Sequence, residues 1–267
     1  MQSSNGIGVA NGARSSSMPG LRCSSQSHLL STWIGFQRKR FLSNGQCMRV
    51  LDLFSGTGSS TKAFEDAGHE VIKVELDEYF EAHERDVLSL TAEYLKDKYG
   101  EFDFIWASPP CQTFSVASIR HYWTYEDGMA KPKNQKTLDG IERVRYTLEL
   151  IGNLNPKIGW LMENPRGMLR KQPVVAGLTR RTITYCQYGD FRMKPTDIWG
   201  YLPEWTPRPV CKAGMDCHNS AKRGSDTGTQ GIGGGGKGGS RLRSMIPYDL
   251  GKEILEAITT RRPDQHF

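Results

Sequence analysis

The chain has 267 residues, 37% of them hydrophobic and 24% charged. That is enough for one α/β domain with an insertion and a full core, and it excludes a disordered or fibrous protein. No run approaches eighteen consecutive apolar residues, so no membrane span and no membrane partner are expected. The formal charge of +6 resides in residues 1–51, where Arg14, Arg22, Arg38, Lys39, Arg40 and Arg49 meet no acid. Of the 35 basic residues, 29 remain after these six, against 29 acidic ones. The body is therefore neutral, and the basic balance alone does not argue for a nucleic-acid partner. Six cysteines (Cys23, Cys47, Cys111, Cys186, Cys211, Cys217) are widely spread with no secretory leader ahead of them. This predicts an intracellular protein with free or metal-bound thiols.

Residues 1–46 are rich in Ser, Gly, Asn and Arg and contain no acid. They read as an organelle-targeting or nuclear segment, or as a disordered leader. Arg38, Lys39 and Arg40 suit loose phosphate contact in either case. Order is expected from Met48. Met48 to Phe54 reads as a buried strand stopped by Ser55-Gly56-Thr57-Gly58. A helix should run from Ser60 to Ala67 and a second strand from Val71 to Glu75. Thr91 to Lys98 should be helical, Phe102 to Ala107 a strand, and a longer helix should follow Asp139 with Ile141, Val144, Leu148 and Ile151 on one face. Ile158 to Met162 is a strand running into Glu163-Asn164-Pro165. Alternating strands and helices predict an α/β fold with a doubly wound, mostly parallel sheet. Thr182 to Tyr188 and Asp197 to Trp199 should form an edge hairpin. A helix from Tyr248 to about Thr259 should bury Leu250, Ile254, Leu255 and Ile258. The implied division is a leader (1–46), a catalytic domain (47–200), a Gly-rich irregular insertion (201–243) and a C-terminal helix packing back (244–267).

Three loops carry chemistry. Asp52-Leu53-Phe54-Ser55-Gly56-Thr57-Gly58-Ser59 joins a strand to a helix through a glycine turn whose bare amides let a cofactor approach. Thr61 stands where a third glycine would mark a pyrophosphate cofactor. Glu75 ends the next strand, where a carboxylate can hold ribose hydroxyls, and Asp86 should sit near a third strand's end, able to accept from an adenine amino group. Ser108-Pro109-Pro110-Cys111-Gln112 places a cysteine on a stiff turn at the carboxyl end of a strand, which suits a nucleophile whose position must be fixed. Glu163 leaves a buried strand directly and should lie beside Cys111, a costly place for a carboxyl without a task.

Phe-x-Gly-x-Gly, Pro-Cys-Gln and Glu-Asn-Pro, in this order and spacing, resemble the DNA (cytosine-5) methyltransferase family over roughly residues 48–200 and the final helix. The resemblance implies a Rossmann-like class I fold using S-adenosyl-L-methionine. Phe54, Gly56 and Gly58 would line its pocket, with Glu75 on the ribose and Asp86 on the adenine. Asp52, Ser55, Thr57, Ser59, Leu76, Val87 and Pro110 join the same pocket. Cys111 would attack C6 of a flipped-out cytosine and Glu163 would hold the base through N3 and the amino group. Family members usually follow Tyr-Gly with Gln-x-Arg-x-Arg, whose last Arg helps hold the cytosine. Here Tyr188-Gly189 leads to Arg192 and Lys194, which serve in part, with Thr196 in the final Arg's place. Arg243-Ser244-Met245-Ile246-Pro247 lacks the usual Gly-Asn before the last helix.

The expected partner is DNA, methylated at cytosine C5 by a monomer. RNA is the alternative substrate, since one lineage of the family acts on tRNA. A lapsed DNA-binding homologue is the reading from another class, and an amino-methylating enzyme would usually carry an aromatic residue at the position of Cys111. The insertion, with seven basic residues against three acidic ones, suits contact with a polyanion. No metal is expected with any force, but Cys211, Cys217 and His218 are weak candidates for zinc, with Cys186 or another ligand completing the set.

Overall fold

The structure, a computed structural model, describes residues 47–202, 204–212, 214–218 and 236–260. The leader, with its expected targeting segment, and the first part of the glycine tract lie outside these residues. The elements are β1 (Arg49–Leu53), α1 (Lys62–Asp66), β2 (Glu70–Val74), α2 (Ala92–Tyr99), β3 (Phe104–Ala107), α3 (Ile119–Tyr122), β4 (Trp123–Glu126), β5 (Met129–Pro132), α4 (Gln135–Leu154), β6 (Gly159–Pro165), β7 (Arg180–Thr184), β8 (Pro195–Tyr201), α5 (Gly236–Ser244) and α6 (Tyr248–Thr259).

Six strands form one sheet in the order β2-β1-β3-β6-β8-β7. The first four are parallel, and β8 and β7 close the edge antiparallel. The order follows from burial. Along β1, Leu51 and Leu53 point to one face and Val50 to the other, and all three are fully buried. A strand apolar on both sides requires a helical layer on each face. On one face, Leu95 of α2 and Val144, Ile151 and Leu154 of α4 pack with Leu51, Leu53, Ile72 and Ile105. On the other, Phe64 of α1 and Leu250, Ile254 and Ile258 of α6 pack with Val50, Phe104, Trp106 and Leu161. This is the doubly wound, Rossmann-like architecture expected from the alternation of elements. Among the described residues no helix is long and apolar enough to cross a membrane.

Four sequence expectations need correction. Asp86 ends no strand; it follows a long loop after β2 and caps the short turn Val87–Ser89, accepting from the Leu88 amide at 3.0 Å. Residues 180–184 form the expected edge strand, but Tyr185–Tyr188 coil into a 3-10 turn closed by left-handed Gly189, which turns both tyrosine rings into the core. The insertion is not irregular throughout: Gly236–Ser244 is helical, so the expected boundary at 243 falls inside α5. Tertiary contacts described below outweigh glycine's low helix propensity, about 1 kcal/mol per residue. Cys47 is disulfide-bonded rather than free. Spacing along the chain does not reveal which cysteines come within bonding reach. The β4–β5 hairpin was not anticipated either. Its signal was Asp127-Gly128, both at positive φ (52° and 74°), the pairing a tight hairpin turn requires.

One core carboxyl shapes the start of α1. Asp52 is fully buried on β1 and its Oδ2 accepts from the Ser60 and Thr61 hydroxyls at 2.8 and 2.7 Å. Its Oδ1 has no hydrogen-bond partner. Desolvation therefore prevails over the two hydrogen bonds and lifts its pKa from 3.8 to about 6. Between those values the folded chain holds the extra proton, so this residue's contribution to stability falls as pH rises through the window, by about 3 kcal/mol in all. Asp52→Asn keeps a neutral acceptor and removes the titration. The stability of this variant relative to the parent should rise by about that amount between pH 4 and pH 7 in denaturant unfolding. A difference independent of pH would mean that Asp52 ionises normally.

Candidate active site

The carboxyl ends of β1, β2, β3 and β6 lie side by side, where ligands bind in open α/β sheets. After β1 the chain turns sharply. Phe54, Gly56 and Gly58 all have positive φ (60°, 50° and 70°). For Phe54 this is a strained conformation, which structures tolerate mainly at functional turns. Glu75, just past β2, ties this turn down. Its Oε2 accepts from the Gly56 amide at 2.7 Å and its Oε1 from the Asp77 amide at 2.9 Å. The neighbouring Leu76 is largely exposed, whereas Val87 is buried. A bare glycine turn, a carboxylate at the next strand end and an exposed aliphatic side chain form a donor set that fits a nucleoside cofactor. The other residues expected in this pocket divide. Asp52 faces the core and organises Ser60 and Thr61, as described above. Ser55 is buried beside the turn, and Thr57 donates to the Ser59 hydroxyl at 3.0 Å.

The loop after β3 carries Cys111. β3 and β6 pair in parallel with Ala107 opposite Met162, so their continuing loops emerge together. Buried Asn164 donates from Nδ2 to the Pro109 carbonyl at 2.9 Å and fixes the diproline step. The Cys111 carbonyl accepts from the Phe114 and Ser115 amides at 3.0 and 2.9 Å. The Phe114 carbonyl in turn accepts from the Met168 amide at 2.7 Å. A Cβ on Gly167 would lie 2.1 Å from the Phe114 oxygen, so only glycine allows this approach. The two loops are stitched into one rigid wall, with Cys111 half-buried, Pro110 exposed and Glu163 buried.

Four groups share this wall. Glu163 accepts from the Tyr185 hydroxyl at 2.9 Å, and both are buried. The Lys194 ammonium lies 4.4 Å from the Tyr185 ring centre and donates to the Arg243 carbonyl at 3.2 Å. Burial pushes the Cys111 thiol up, and the nearby Glu163 carboxylate pushes it further, while Lys194 opposes both. Burial also lifts Glu163, again opposed by Lys194 and by the Tyr185 hydrogen bond. Lys194 is itself lowered by burial, and Glu163 and Cys111 restore part of the loss. Burial thus disfavours ionisation of the thiol and of the carboxyl alike, and Lys194 opposes that effect in both.

Thr196 stands at the sequence position of the family's last Arg, and Lys194 is the cation nearest the site. Thr196 is fully buried in β8 and its hydroxyl donates to the Lys194 carbonyl at 3.2 Å. Lys194 is the cation beside Glu163 and Cys111. Arg192 has other work: its guanidinium pairs with Asp190 and donates to the Leu242, Arg243 and Met245 carbonyls. It holds the end of α5 rather than facing Cys111. Sequence reasoning missed Tyr185, whose signal was a polar-tipped aromatic ring inside an apolar strand run. It also missed α5, which bridges the two halves of the site. Arg241 donates to Asp77 at 2.9 Å and lies 3.6 Å from the Tyr79 ring centre, and the Ile246 amide donates to the Ser59 hydroxyl at 2.9 Å. Cys211, Cys217 and His218 gather with Cys186.

The profile of the family described as C-5 cytosine-specific DNA methylase matches residues 48–176. A protein of Frog virus 3 (isolate Goorha), named a probable DNA (cytosine-5)-methyltransferase, is 32% identical over 220 residues, covering 78% of this chain and 99% of its own length. The chain belongs to the C-5 cytosine-specific DNA methylase family. Among solved structures, the Entamoeba histolytica methyltransferase EhMeth is 12% identical with a TM-score of 0.43, the match covering 66% of this chain and 58% of that one. The S. pombe Dnmt2 methyltransferase is 14% identical with a TM-score of 0.41, over 59% of this chain and 50% of that one.

The electrostatics of this wall are testable through Lys194. Lys194→Met removes the one cation among the described residues that lowers both Cys111 and Glu163. The acid limb of the methyl-transfer pH profile should move to higher pH, and turnover at neutral pH should fall by about tenfold or more. An unshifted limb in the folded variant would remove Lys194 from the ionisation of the site.

Proposed function

We propose that this chain transfers a methyl group from S-adenosylmethionine to C5 of cytosine in DNA, with Cys111 as the nucleophile. The observation that carries this reading is the convergence of Cys111, Glu163 and Lys194 on one rigid wall beside the glycine turn and Glu75. Bound at that turn, the cofactor supplies an electrophilic methyl group for C5.

Cytosine C5 is a poor nucleophile until a thiolate adds to C6. The Cys111 thiol first loses its proton to solvent, and its sulfur then forms a bond to C6. The electron pair of the C5–C6 double bond moves toward N3, where Glu163, in the protonated form that burial favours, gives up its proton. The resulting enamine is nucleophilic at C5. After methylation, the C5 proton passes to a water molecule, the C6–S bond breaks to expel the Cys111 thiolate, and N3 returns its proton to the Glu163 carboxylate, which restores the aromatic ring. Lys194 stabilises the negative charge on Cys111 before addition and on Glu163 afterwards. Tyr185 holds the carboxyl in register through its hydroxyl. The wall lies at the end of a packed sheet, so a base stacked in a duplex cannot reach it. The substrate base must be flipped out or single-stranded.

Two departures from the family pattern support activity rather than a lapsed binding role. Lys194 supplies the cation that Thr196 lacks, and the segment before α6 still reaches the glycine turn through Ile246. We assign Glu75 to the cofactor ribose and Asp86 to its adenine, with Arg192 as a positioning residue.

Nucleoside mass spectrometry on DNA and RNA from a methylation-free host tests this reading. Expression of the parent chain should produce 5-methyldeoxycytidine, and Cys111→Ser should produce none while still binding S-adenosylmethionine. Glu163→Gln, which retains the shape but cannot donate the proton, should lose about a hundredfold or more in turnover. An undiminished mark with Cys111→Ser would overturn the covalent mechanism, and a mark confined to RNA would reassign the substrate.

A further inference from the structure

We propose that Cys186, Cys211, Cys217 and His218 form a structural zinc site that fastens the insertion to the catalytic wall. Their ligating atoms all lie within 4.8 Å of one another. The Cys211 and Cys217 sulfurs are 3.2 Å apart, and His218 Nδ1 lies 3.5 and 3.6 Å from them. Tetrahedral zinc with ordinary bond lengths places its sulfur and nitrogen ligands about 3.5 to 3.8 Å apart. Cys211, Cys217 and His218 therefore already sit near three edges of such a tetrahedron, with Cys186 within 4.8 Å of each. Cys211 and Cys217 remain free thiols at their separation, well beyond a disulfide bond of about 2.05 Å.

The ligand set also fits the fold. Cys186 belongs to the 3-10 turn Tyr185–Tyr188, one residue after the tyrosine that holds Glu163. Cys211 is anchored through its amide, which donates to the Thr184 hydroxyl at 2.8 Å. Cys217 and His218 come from the following turn of the insertion. Cys186 and Cys211 are buried, while Cys217 is exposed and His218 half-buried. The segment 204–218 has little core of its own. Trp205 is its one fully buried large side chain among the described residues. Short, core-poor segments often depend on a metal for their shape.

Three thiolates and a neutral imidazole would fill all four positions, leaving none open for a substrate or water. On binding, each thiol loses its proton to solvent and its sulfur bonds the metal. The ion would be structural and would take no part in methyl transfer.

The test uses the full chain, reduced and purified without chelators. Elemental analysis should find about one zinc per chain after dialysis into metal-free buffer. Cobalt offered to the stripped protein should give the d–d bands of a tetrahedral thiolate site. Cys217→Ser and His218→Ala remove exposed or half-buried ligands, so both should stay folded yet lose the metal on dialysis. Zinc should raise the melting temperature of the parent and not that of His218→Ala. Fewer than about 0.1 equivalents of zinc on the reduced parent after zinc has been supplied would overturn the site. A Cys211–Cys217 disulfide in protein prepared anaerobically would overturn it as well.

Discussion

The loops that follow β3 and β6 are bonded to one another before either presents a side chain. Parallel pairing brings Ala107 opposite Met162, and the hydrogen bond from Asn164 to the Pro109 carbonyl closes the gap above. Asn164 is fully buried, so losing that bond would leave unsatisfied polar atoms in the core. The diproline step removes the remaining backbone freedom on one side, and the tight passage of Gly167 under Phe114 removes it on the other. Cys111 and Glu163 are therefore placed by the sheet itself. The proposed reaction, which brings a sulfur to C6 and a proton to N3 of one ring, needs that rigidity.

Burial then sets the chemistry of those two groups. A half-buried thiol next to a carboxyl resists ionisation, and a buried carboxyl resists losing its proton. In the proposed mechanism the second effect helps Glu163 as a proton donor, while the first hinders Cys111 as a nucleophile. Lys194 reconciles them. Placed at a strained backbone position with a φ of 24°, it supplies positive charge to both. Its own pKa is lowered by burial, and Glu163 and Cys111 restore part of that loss.

Segments far apart in sequence complete the site. α5 joins the end of β2 through Arg241 and Asp77 and the end of the β7–β8 hairpin through Arg192 and Lys194. Cationic side chains at the last turn of α5 also complement its helix dipole. On the other side of the Tyr185–Tyr188 turn, the cysteine and histidine cluster ties residues 211–218 to the same wall. The turn that positions Tyr185 on Glu163 is thus held by the insertion and by α6 as well as by its own strand.

Much of the plan was legible in the linear pattern. The parallel sheet, the helices on both faces, the glycine turn and the juxtaposition of Cys111 with Glu163 follow from hydrophobic periodicity and from the rule that strand ends carry the ligands. These are local or nearest-neighbour properties, and local chemistry encodes them. The identity of the working cation was not legible, because Arg192, Lys194 and Thr196 alternate along one stretch. A twisted turn entering β8 decides which of them faces Glu163. The helix in a glycine tract and the sharing of Asp52 between Ser60 and Thr61 were equally invisible, and Cys186 was offered beside Cys211, Cys217 and His218 without the pattern fixing it as the fourth group. Each depends on contacts between residues remote in sequence, and only packing of the whole chain brings their atoms within bonding distance.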